Sequence, residues 1–199
     1  MKKPNIINFH ITDACNYTCK HCFADFKMKD LPLKDAKKVV DSIETFFREN
    51  EIDNGRINIA GGEPLMYRHL DEMIDYIAEK NIKVSIITNG SRLTEERIAA
   101  WSGKVAMIGI SVDAINADAN IHIGRCDALK TTNGLEHLVK MAEAIHKAGI
   151  KVKVNTVFFG GGTPSVLNPE LFCRIVDSIK DAFDISALAE LTVEVNPKT

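Results

Sequence analysis

The sequence predicts an α/β fold in which strands and helices alternate around a parallel sheet. Six short apolar stretches rich in β-branched residues alternate with five longer amphipathic stretches, a pattern typical of βα units. Polar, glycine-rich or cysteine-rich segments follow the first five apolar stretches. Crossovers of this length allow either an open doubly wound sheet or an incomplete (βα) barrel. Both arrangements place their chemistry at the carboxyl ends of the strands.

The predicted strands are short runs of β-branched and other apolar residues. In chain order they are Ile6–Ile11, Arg56–Ala60, Lys83–Thr88, Val105–Val112, Lys151–Phe158 and Leu191–Val195. Glycines and polar residues directly after these runs indicate where the first five strands end. The strands therefore supply one edge of the sheet with most of the residues that could carry chemistry.

The predicted helices are the amphipathic stretches between these strands, namely Leu33–Arg48, Leu65–Glu79, Glu95–Trp101, Gly134–Ala148 and Pro169–Ala182. In the first of them Val40, Ile43 and Phe46 recur at helical spacing. Asn168 before Pro169 is typical of an N-cap followed by proline at the first helical position. Because no low-complexity linker divides the chain, we predict one domain over residues 1–199.

Composition excludes some classes of partner. The 199 residues include 25 basic and 27 acidic side chains, for a formal net charge of −2. This balance gives no reason to expect binding to nucleic acid or to an anionic membrane. No apolar run approaches the roughly 20 residues of a membrane helix, and the start of the chain lacks the apolar stretch of a signal peptide. We therefore expect a cytoplasmic protein.

Three of the five cysteines, Cys15, Cys19 and Cys22, crowd into one loop after the first predicted strand. Such clustering favours a metal site over disulfides. Three thiolates can hold three irons of a [4Fe–4S] cluster and leave the fourth iron open for chemistry. A zinc site that adds His21 or His10 is the main alternative, but the chain has no second cysteine pair, so the spacing favours the cluster. We expect His10 to be a buried core histidine.

These residues resemble the motifs of the radical S-adenosylmethionine (SAM) superfamily. The cysteines form CxxxCxxC with His21 before the last one, and Gly61-Gly62-Glu63-Pro64 is similar to the GGEP motif of that superfamily. The resemblance implies a [4Fe–4S] cluster on the catalytic loop and SAM as the second cofactor. It also implies a 5′-deoxyadenosyl radical that abstracts hydrogen from the substrate. Of the two arrangements left open above, the resemblance favours the barrel, and we predict a partial (βα)₆ barrel.

The predicted SAM contacts follow the strands. Gly61 and Gly62 let the backbone come close to a ligand, and the motif includes Pro64. For Glu63 two roles stay open, a SAM contact or a carboxylate stabilised at a helix N-terminus. The remaining polar candidates are Ser91, Ser111, Asp113 and Asn155.

A closer resemblance, over about residues 5–157, is to the viperin-like antiviral enzymes. Asn8–Thr12 leading into the cysteines, Ser85–Ser91, and Asn120-x-x-Ile123-Gly124-Arg125 are similar to segments of that family. The resemblance implies a nucleoside triphosphate substrate that loses the ribose 4′ hydrogen and the 3′ hydroxyl. It also implies an electron donor such as flavodoxin or ferredoxin. The candidate substrate contacts are Lys27, Asn120, Arg125 and Lys130.

The tail departs from this pattern. Residues 158–199 resemble part of the oxygen-independent coproporphyrinogen oxidases, which suggests recombination or an engineered chimera. We expect the tail to add the last helix and sixth strand, with Gly160–Gly162 beside the SAM site.

Two other functions stay open for the protein: a radical SAM enzyme acting on a tetrapyrrole or a peptide, and a cluster-binding scaffold without turnover.

Overall fold

The computed structural model of the chain describes residues 3–22, 30–114 and 116–155. These residues all lie in a unit that ends at Thr156. The predicted helix Pro169–Ala182, the predicted strand Leu191–Val195 and the glycines Gly160–Gly162 lie outside the described residues. The prediction of a single domain over residues 1–199, and that of a chimeric tail, therefore stay predictions.

The five strands of the described residues form one parallel sheet in chain order. They are β1 (Ile6–Thr12), β2 (Arg56–Gly61), β3 (Lys83–Thr88), β4 (Val105–Ser111) and β5 (Lys151–Asn155). With right-handed crossovers, a sequential order keeps all connecting helices on one face of the sheet. A doubly wound sheet would reverse its order part-way. The order therefore agrees with the partial barrel, open over the part described.

The helices of the described residues are α1 (Leu33–Glu49), α2 (Leu70–Glu79), α3 (Glu95–Ala100), α4 (Ala117–His122) and α5 (Leu135–Lys147). The helix predicted from Leu65 begins later, because a 3₁₀ turn at Pro64–Met66 precedes it. Tyr67 follows this turn in an extended conformation. The residue is buried, and its hydroxyl donates a hydrogen bond to the carbonyl of Leu31 at 2.8 Å. Helix α4 was not predicted because its residues include one large apolar side chain, Ile121, and so show no helical period. None of the described helices is long and apolar enough to cross a membrane.

The core lies between the sheet and the helices. Alternate residues of the strands face it, including Phe9, Ile11, Ile59, Ile86 and Ile108. The apolar faces of α1 and α2 pack against them through Val40, Phe47, Met73 and Ile77. Burial of this many aliphatic side chains, each contributing about 1.5–3 kcal/mol, is the main driving force for this layer.

The opposite face of the sheet carries a polar row on its first three strands. In-register residues of the first three strands form a hydrogen-bonded row, in which Ser85 donates to Asn58 at 2.9 Å and Asn58 donates to Asn8 at 2.8 Å. His10 is exposed. The expectation of a buried core histidine was therefore wrong. The reason is the strand period, because Phe9 and Ile11 on either side of His10 are the residues that face the core.

Candidate active site at the carboxyl edge of the sheet

The three-cysteine loop leaves the end of β1 and is held in place by the segment that follows α4. The backbone N–H of Thr18 donates to the carbonyl of Gly124 at 3.2 Å, and that of Lys20 donates to Ile123 at 2.8 Å. Gly124 has φ +76°, and a Cβ atom there would lie 2.4 Å from the Thr18 carbonyl oxygen. Only glycine allows this contact, so the segment after β4 supports the cysteine loop directly.

Two of the three loop cysteines border a cavity of about 440 Å³, which is lined by Asp13, Ala14, Cys15, Tyr17, Thr18 and Cys19. Burial raises the pKa of Cys15, and it raises the pKa of Cys19 to about 11. Cys22 is exposed, and all three cysteines are free of disulfides. In the part of the chain that the structure describes, no group of three or more histidine, cysteine or acidic side chains is arranged so that it could hold a metal ion. Binding a cluster therefore requires the thiols to lose their protons and to converge.

The residues around the cavity fit a cluster and a positively charged cofactor. Three soft thiol donors on one loop are the ligands that iron–sulfur clusters use. Asp13, which the sequence reasoning missed, adds a carboxylate whose Oδ2 atom is buried without a hydrogen-bond partner. An unpaired buried carboxylate oxygen favours a cationic ligand beside it, as the ammonium and sulfonium groups of SAM would be.

The glycine pair at the end of β2 packs against the start of the cysteine loop. The N–H of Gly62 donates to the Thr12 carbonyl at 2.8 Å, and that of Glu63 donates to the Ala14 carbonyl at 2.7 Å. A Cβ atom at Gly61 would lie 2.2 Å from the Thr12 oxygen, and one at Gly62 would lie 2.3 Å from the Ala14 oxygen. The two glycines are therefore required for contact between the two loops, besides the SAM contact predicted for them.

Glu63 caps the 3₁₀ turn that begins at the buried Pro64. Its Oε1 atom accepts hydrogen bonds from the Leu65 N–H at 3.0 Å and the Thr88 hydroxyl at 2.6 Å, and its Oε2 atom accepts one from the Asn89 N–H at 2.7 Å. Burial raises the pKa of this carboxyl group, and the three hydrogen bonds oppose the rise. Of the two roles left open by the sequence, these contacts support the carboxylate at a turn N-terminus.

The turn after β3 is linked to the cysteine loop through Asn16. The Asn16 amide donates to the Ser91 hydroxyl at 2.9 Å and accepts from Asn89 at 3.0 Å. Ser91 was predicted as a SAM contact, whereas Asn16 was missed. The sequence does carry a signal for it, an amide side chain inside the CxxxC segment. The network joins the ends of β1, β2 and β3 around one point.

Asp113, which follows β4, forms a buried ion pair with Arg125. The Nη1 atom of Arg125 lies 2.6 Å from Asp113 Oδ2, and its Nη2 atom donates to the Ser111 carbonyl at 2.5 Å. The guanidinium lies 5.9 Å from the centre of the Tyr17 ring, and His21 lies 3.5 Å from Asp113. Arg125 therefore connects β4 to the cysteine loop. The two hydrogen bonds use two of the five N–H donors of the guanidinium that was predicted to bind phosphate.

The other predicted contacts are spread more widely. Asn120 is buried, and its Nδ2 atom donates to Ala114 at 3.1 Å, but its Oδ1 atom has no partner. The amide of Asn155 lies over Gly109, where a Cβ atom would be 2.6 Å from Asn155 Nδ2. Lys130 is exposed in a turn with φ +60°, and no described contact joins it to the cysteine loop. Lys27 lies outside the described residues.

Comparison with known proteins decides the family. A family model described as the Radical SAM superfamily matches residues 9–168. The chain belongs to this superfamily. Radical SAM proteins use a [4Fe–4S] cluster and SAM, the two cofactors that the cysteine and GGEP motifs predict.

Curated relatives narrow the similarity further. An S-adenosylmethionine-dependent nucleotide dehydratase from a Thermoplasmatales archaeon (strain ISO4-H5) is 38% identical over 155 residues, covering 78% of this chain and 53% of the relative. One from Selenomonas ruminantium is 36% identical over 157 residues, covering 76% and 55%. The radical SAM chain described here thus spans about half the length of the relatives it matches.

Solved structures support the fold. Streptococcus suis SuiB bound to S-adenosylmethionine aligns with a TM-score of 0.64 at 20% identity, covering 90% of this chain and 38% of SuiB. Native anSMEcpe with bound AdoMet aligns with a TM-score of 0.61 at 17% identity, covering 92% and 48%. At these identities the likeness shows a shared radical SAM fold alone.

Proposed function

We propose that this radical SAM chain is the core of a nucleoside triphosphate dehydratase. The observation that carries the proposal is the 36–38% identity to nucleotide dehydratases over about three quarters of the chain. In the proposed reaction the ribose 4′ hydrogen atom passes to the deoxyadenosyl radical, and the 3′ hydroxyl leaves as water with one proton and one electron from the electron donor. The product is a 3′-deoxy-3′,4′-didehydro nucleotide. When bound together, the cluster and SAM would supply the carbon radical that abstracts the hydrogen.

In this proposal the cysteine loop holds the cluster through Cys15, Cys19 and Cys22. Exposure of Cys22 supports access by an electron donor such as flavodoxin or ferredoxin. The backbone at Gly61–Pro64 and the polar residues Ser91, Ser111, Asp113 and Asn155 would hold SAM. Asp13 would balance the positive charge of SAM, which its unpartnered Oδ2 atom supports.

The substrate would lie at the same edge of the sheet, next to the segment after α4. The Oδ1 atom of Asn120 has no partner, which supports a role in accepting a hydrogen bond from a ribose hydroxyl. Lys130, Lys27 and Arg125 would supply positive charge to the triphosphate. Since Arg125 already pairs with Asp113, we assign it a positioning role through that contact as well as a charge for the phosphates. The near-neutral chain supports a small-molecule substrate over nucleic acid.

The test of the proposal is anaerobic reconstitution with iron and sulfide, followed by an assay of 5′-deoxyadenosine with SAM, a reductant and each nucleoside triphosphate in turn. We expect about four irons per chain and release of 5′-deoxyadenosine that depends on one or more nucleotides. Cys19→Ala should lose the iron and the release of 5′-deoxyadenosine. Cys126→Ala, a matched change of a buried cysteine outside the loop, should keep the iron and the product release.

Two outcomes would contradict this assignment. One tightly bound zinc and no iron would overturn the cluster. Iron and bound SAM without any nucleotide-dependent product would instead favour the scaffold without turnover.

Substrate contact is tested separately on an exposed residue, so that folding is not at risk. Lys130→Gln should weaken triphosphate binding about five- to tenfold, the loss expected for one charge-assisted contact. Lys147→Gln removes the same charge from the end of α5 and should bind as the wild type does. Equal affinity of both variants would remove Lys130 from the proposed site.

A further inference from the structure

A second cavity lies at the amino edge of the sheet, away from the cysteine loop. It measures about 210 Å³ and is lined by Asn5, Ile6, Asn54, Arg56 and Lys83. Arg56 and Lys83 are the first residues of β2 and β3, and Asn5 directly precedes β1. The strands advance about 3.3 Å per residue, so about 20 Å separates this cavity from the carboxyl edge. It is therefore distinct from the candidate active site.

The cavity brings two cations together without an anion. Arg56 and Lys83 are in register on neighbouring parallel strands, so their Cα atoms are about 4.8 Å apart and their side chains leave the sheet on the same face. No acidic residue lines the cavity. No ion pair found among the described residues includes either side chain. Like charges this close repel each other unless a counter-charge lies between them.

The guanidinium of Arg56 also has an unmet hydrogen bond. Its Nε atom is buried and has no partner. Buried N–H groups are nearly always paired, and an unpaired one on a charged group costs more than one on a neutral group. An acceptor that carries negative charge would satisfy both the Nε atom and the repulsion between the two cations.

The backbone of the site is already fixed. The N–H of Arg56 donates to the Asn5 carbonyl at 2.8 Å, and the N–H of Lys83 donates to the Gly55 carbonyl at 3.1 Å. These bonds hold the starts of the three strands together. A ligand would therefore meet prearranged donors, which lowers the entropic cost of binding.

We propose that this cavity binds a phosphate-type oxyanion. The planar guanidinium of Arg56 would donate from Nε and one Nη atom to two oxygens of the anion, and Lys83 would add a second positive charge. The side-chain amides of Asn5 and Asn54 are further donors within the lining. A volume of 210 Å³ is about seven times the roughly 30 Å³ that one water occupies in the liquid, enough for one phosphate group with its remaining waters.

The experiment is isothermal titration calorimetry of the full chain, before cluster reconstitution, with inorganic phosphate at constant ionic strength. We expect saturable binding of one phosphate. Arg56→Gln should weaken it about tenfold or more, and Lys83→Gln should weaken it about fivefold. Lys147→Gln is the matched control and should bind phosphate with wild-type affinity. A parallel titration with pyrophosphate tests whether the cavity prefers one phosphate group or two.

The result does not depend on the proposed dehydratase activity. A variant in which Cys15, Cys19 and Cys22 are all alanine should bind phosphate as well as the wild type. The site would be overturned by wild type that shows no saturable binding, by Arg56→Gln that binds equally well, or by loss of binding in the triple cysteine variant. If circular dichroism shows that Arg56→Gln does not fold, the variant of the exposed Lys83 decides. Lys83→Gln that binds phosphate as well as the wild type would then overturn the site.

Discussion

Gly124 is a single residue on which the position of the cysteine loop depends, and Gly103 offers a matched comparison. Both have φ +76°, but a Cβ atom at Gly124 would lie 2.4 Å from Thr18, whereas nothing lies within 4 Å at Gly103. Gly103→Ala should lower the free energy of unfolding by about 1–2 kcal/mol, the cost of the left-handed conformation alone. Gly124→Ala adds the clash and should cost clearly more, with fewer irons bound after reconstitution.

Urea unfolding and iron content measure the two effects separately. Equal losses of stability in the two glycine variants, with equal iron content, would show that the contact between Gly124 and Thr18 does not hold the loop.

Glu63 tests whether a motif carboxylate stabilises the fold. Glu63→Gln places an amide NH₂ group where the protein presents N–H or O–H donors to both carboxylate oxygens. The free energy of unfolding should fall by about 1–3 kcal/mol, because one buried donor then faces another donor. Glu72→Gln, an exposed carboxylate paired with Lys37, should change it by less than about 1 kcal/mol. Urea unfolding without cofactors checks this, and equal midpoints for both variants would contradict the capping role.

At the scale of elements, the segment from α4 to Arg125 connects β4 to the cysteine loop. The Arg125–Asp113 pair is buried, with side chains 9% and 2% exposed. Removing one partner of a buried pair costs about 3–5 kcal/mol. Arg125→Gln should therefore destabilise the fold by several kcal/mol, whereas Arg97→Gln, which breaks a more exposed pair with Asp71, should cost about 1 kcal/mol or less.

A double-mutant cycle isolates the pair, since Asp113 also contacts His21. We expect a coupling energy of at least about 1 kcal/mol between Arg125→Gln and Asp113→Asn in urea unfolding. If the two losses of unfolding free energy are strictly additive, the ion pair does not connect β4 to the cysteine loop.

For the whole molecule, the predicted sixth strand determines how far the barrel extends. If Leu191–Val195 pairs as a strand of the sheet, its amides should exchange with deuterium slowly, because backbone hydrogen bonds must open first. Hydrogen exchange followed by mass spectrometry measures this, with the described strand β3 as the internal reference. Fast exchange throughout Leu191–Val195 would contradict a six-stranded sheet.

Much of the fold could be predicted because its signals are local. The predicted bounds of β1 to β4 lie within one residue of those in the structure. Those of α1 differ by one residue at its end, and those of α5 by one residue at each end. Strand and helix periods are properties of neighbouring residues, so they can be recognised without knowing the fold. Helix α4 was missed because Ile121 is its one large apolar side chain, which is too few to show a helical period, although Asn116 caps it.

The site could be predicted only in part. The cysteine spacing and the GGEP segment identify the cofactors without any structure, since each motif is contiguous in sequence. Asp13 was missed because its role depends on burial, which no local pattern reveals. The position of Asn16 inside the CxxxC segment is a local signal, but its role depends on distant partners. Asn16 contacts residues 73 and 75 positions away in the chain.

The sequence alone determined the α/β class, the boundaries of most elements and the motifs of a radical SAM protein. These depend on local periodicity and on residues close together in the chain. Only the tertiary structure decided that Gly61 and Gly62 press on the cysteine loop, that Glu63 caps a turn and that Arg125 is committed to Asp113. It also placed Arg56 beside Lys83. Each of these contacts depends on strand register and burial, which join residues from different βα units and leave no trace in the local pattern of the sequence.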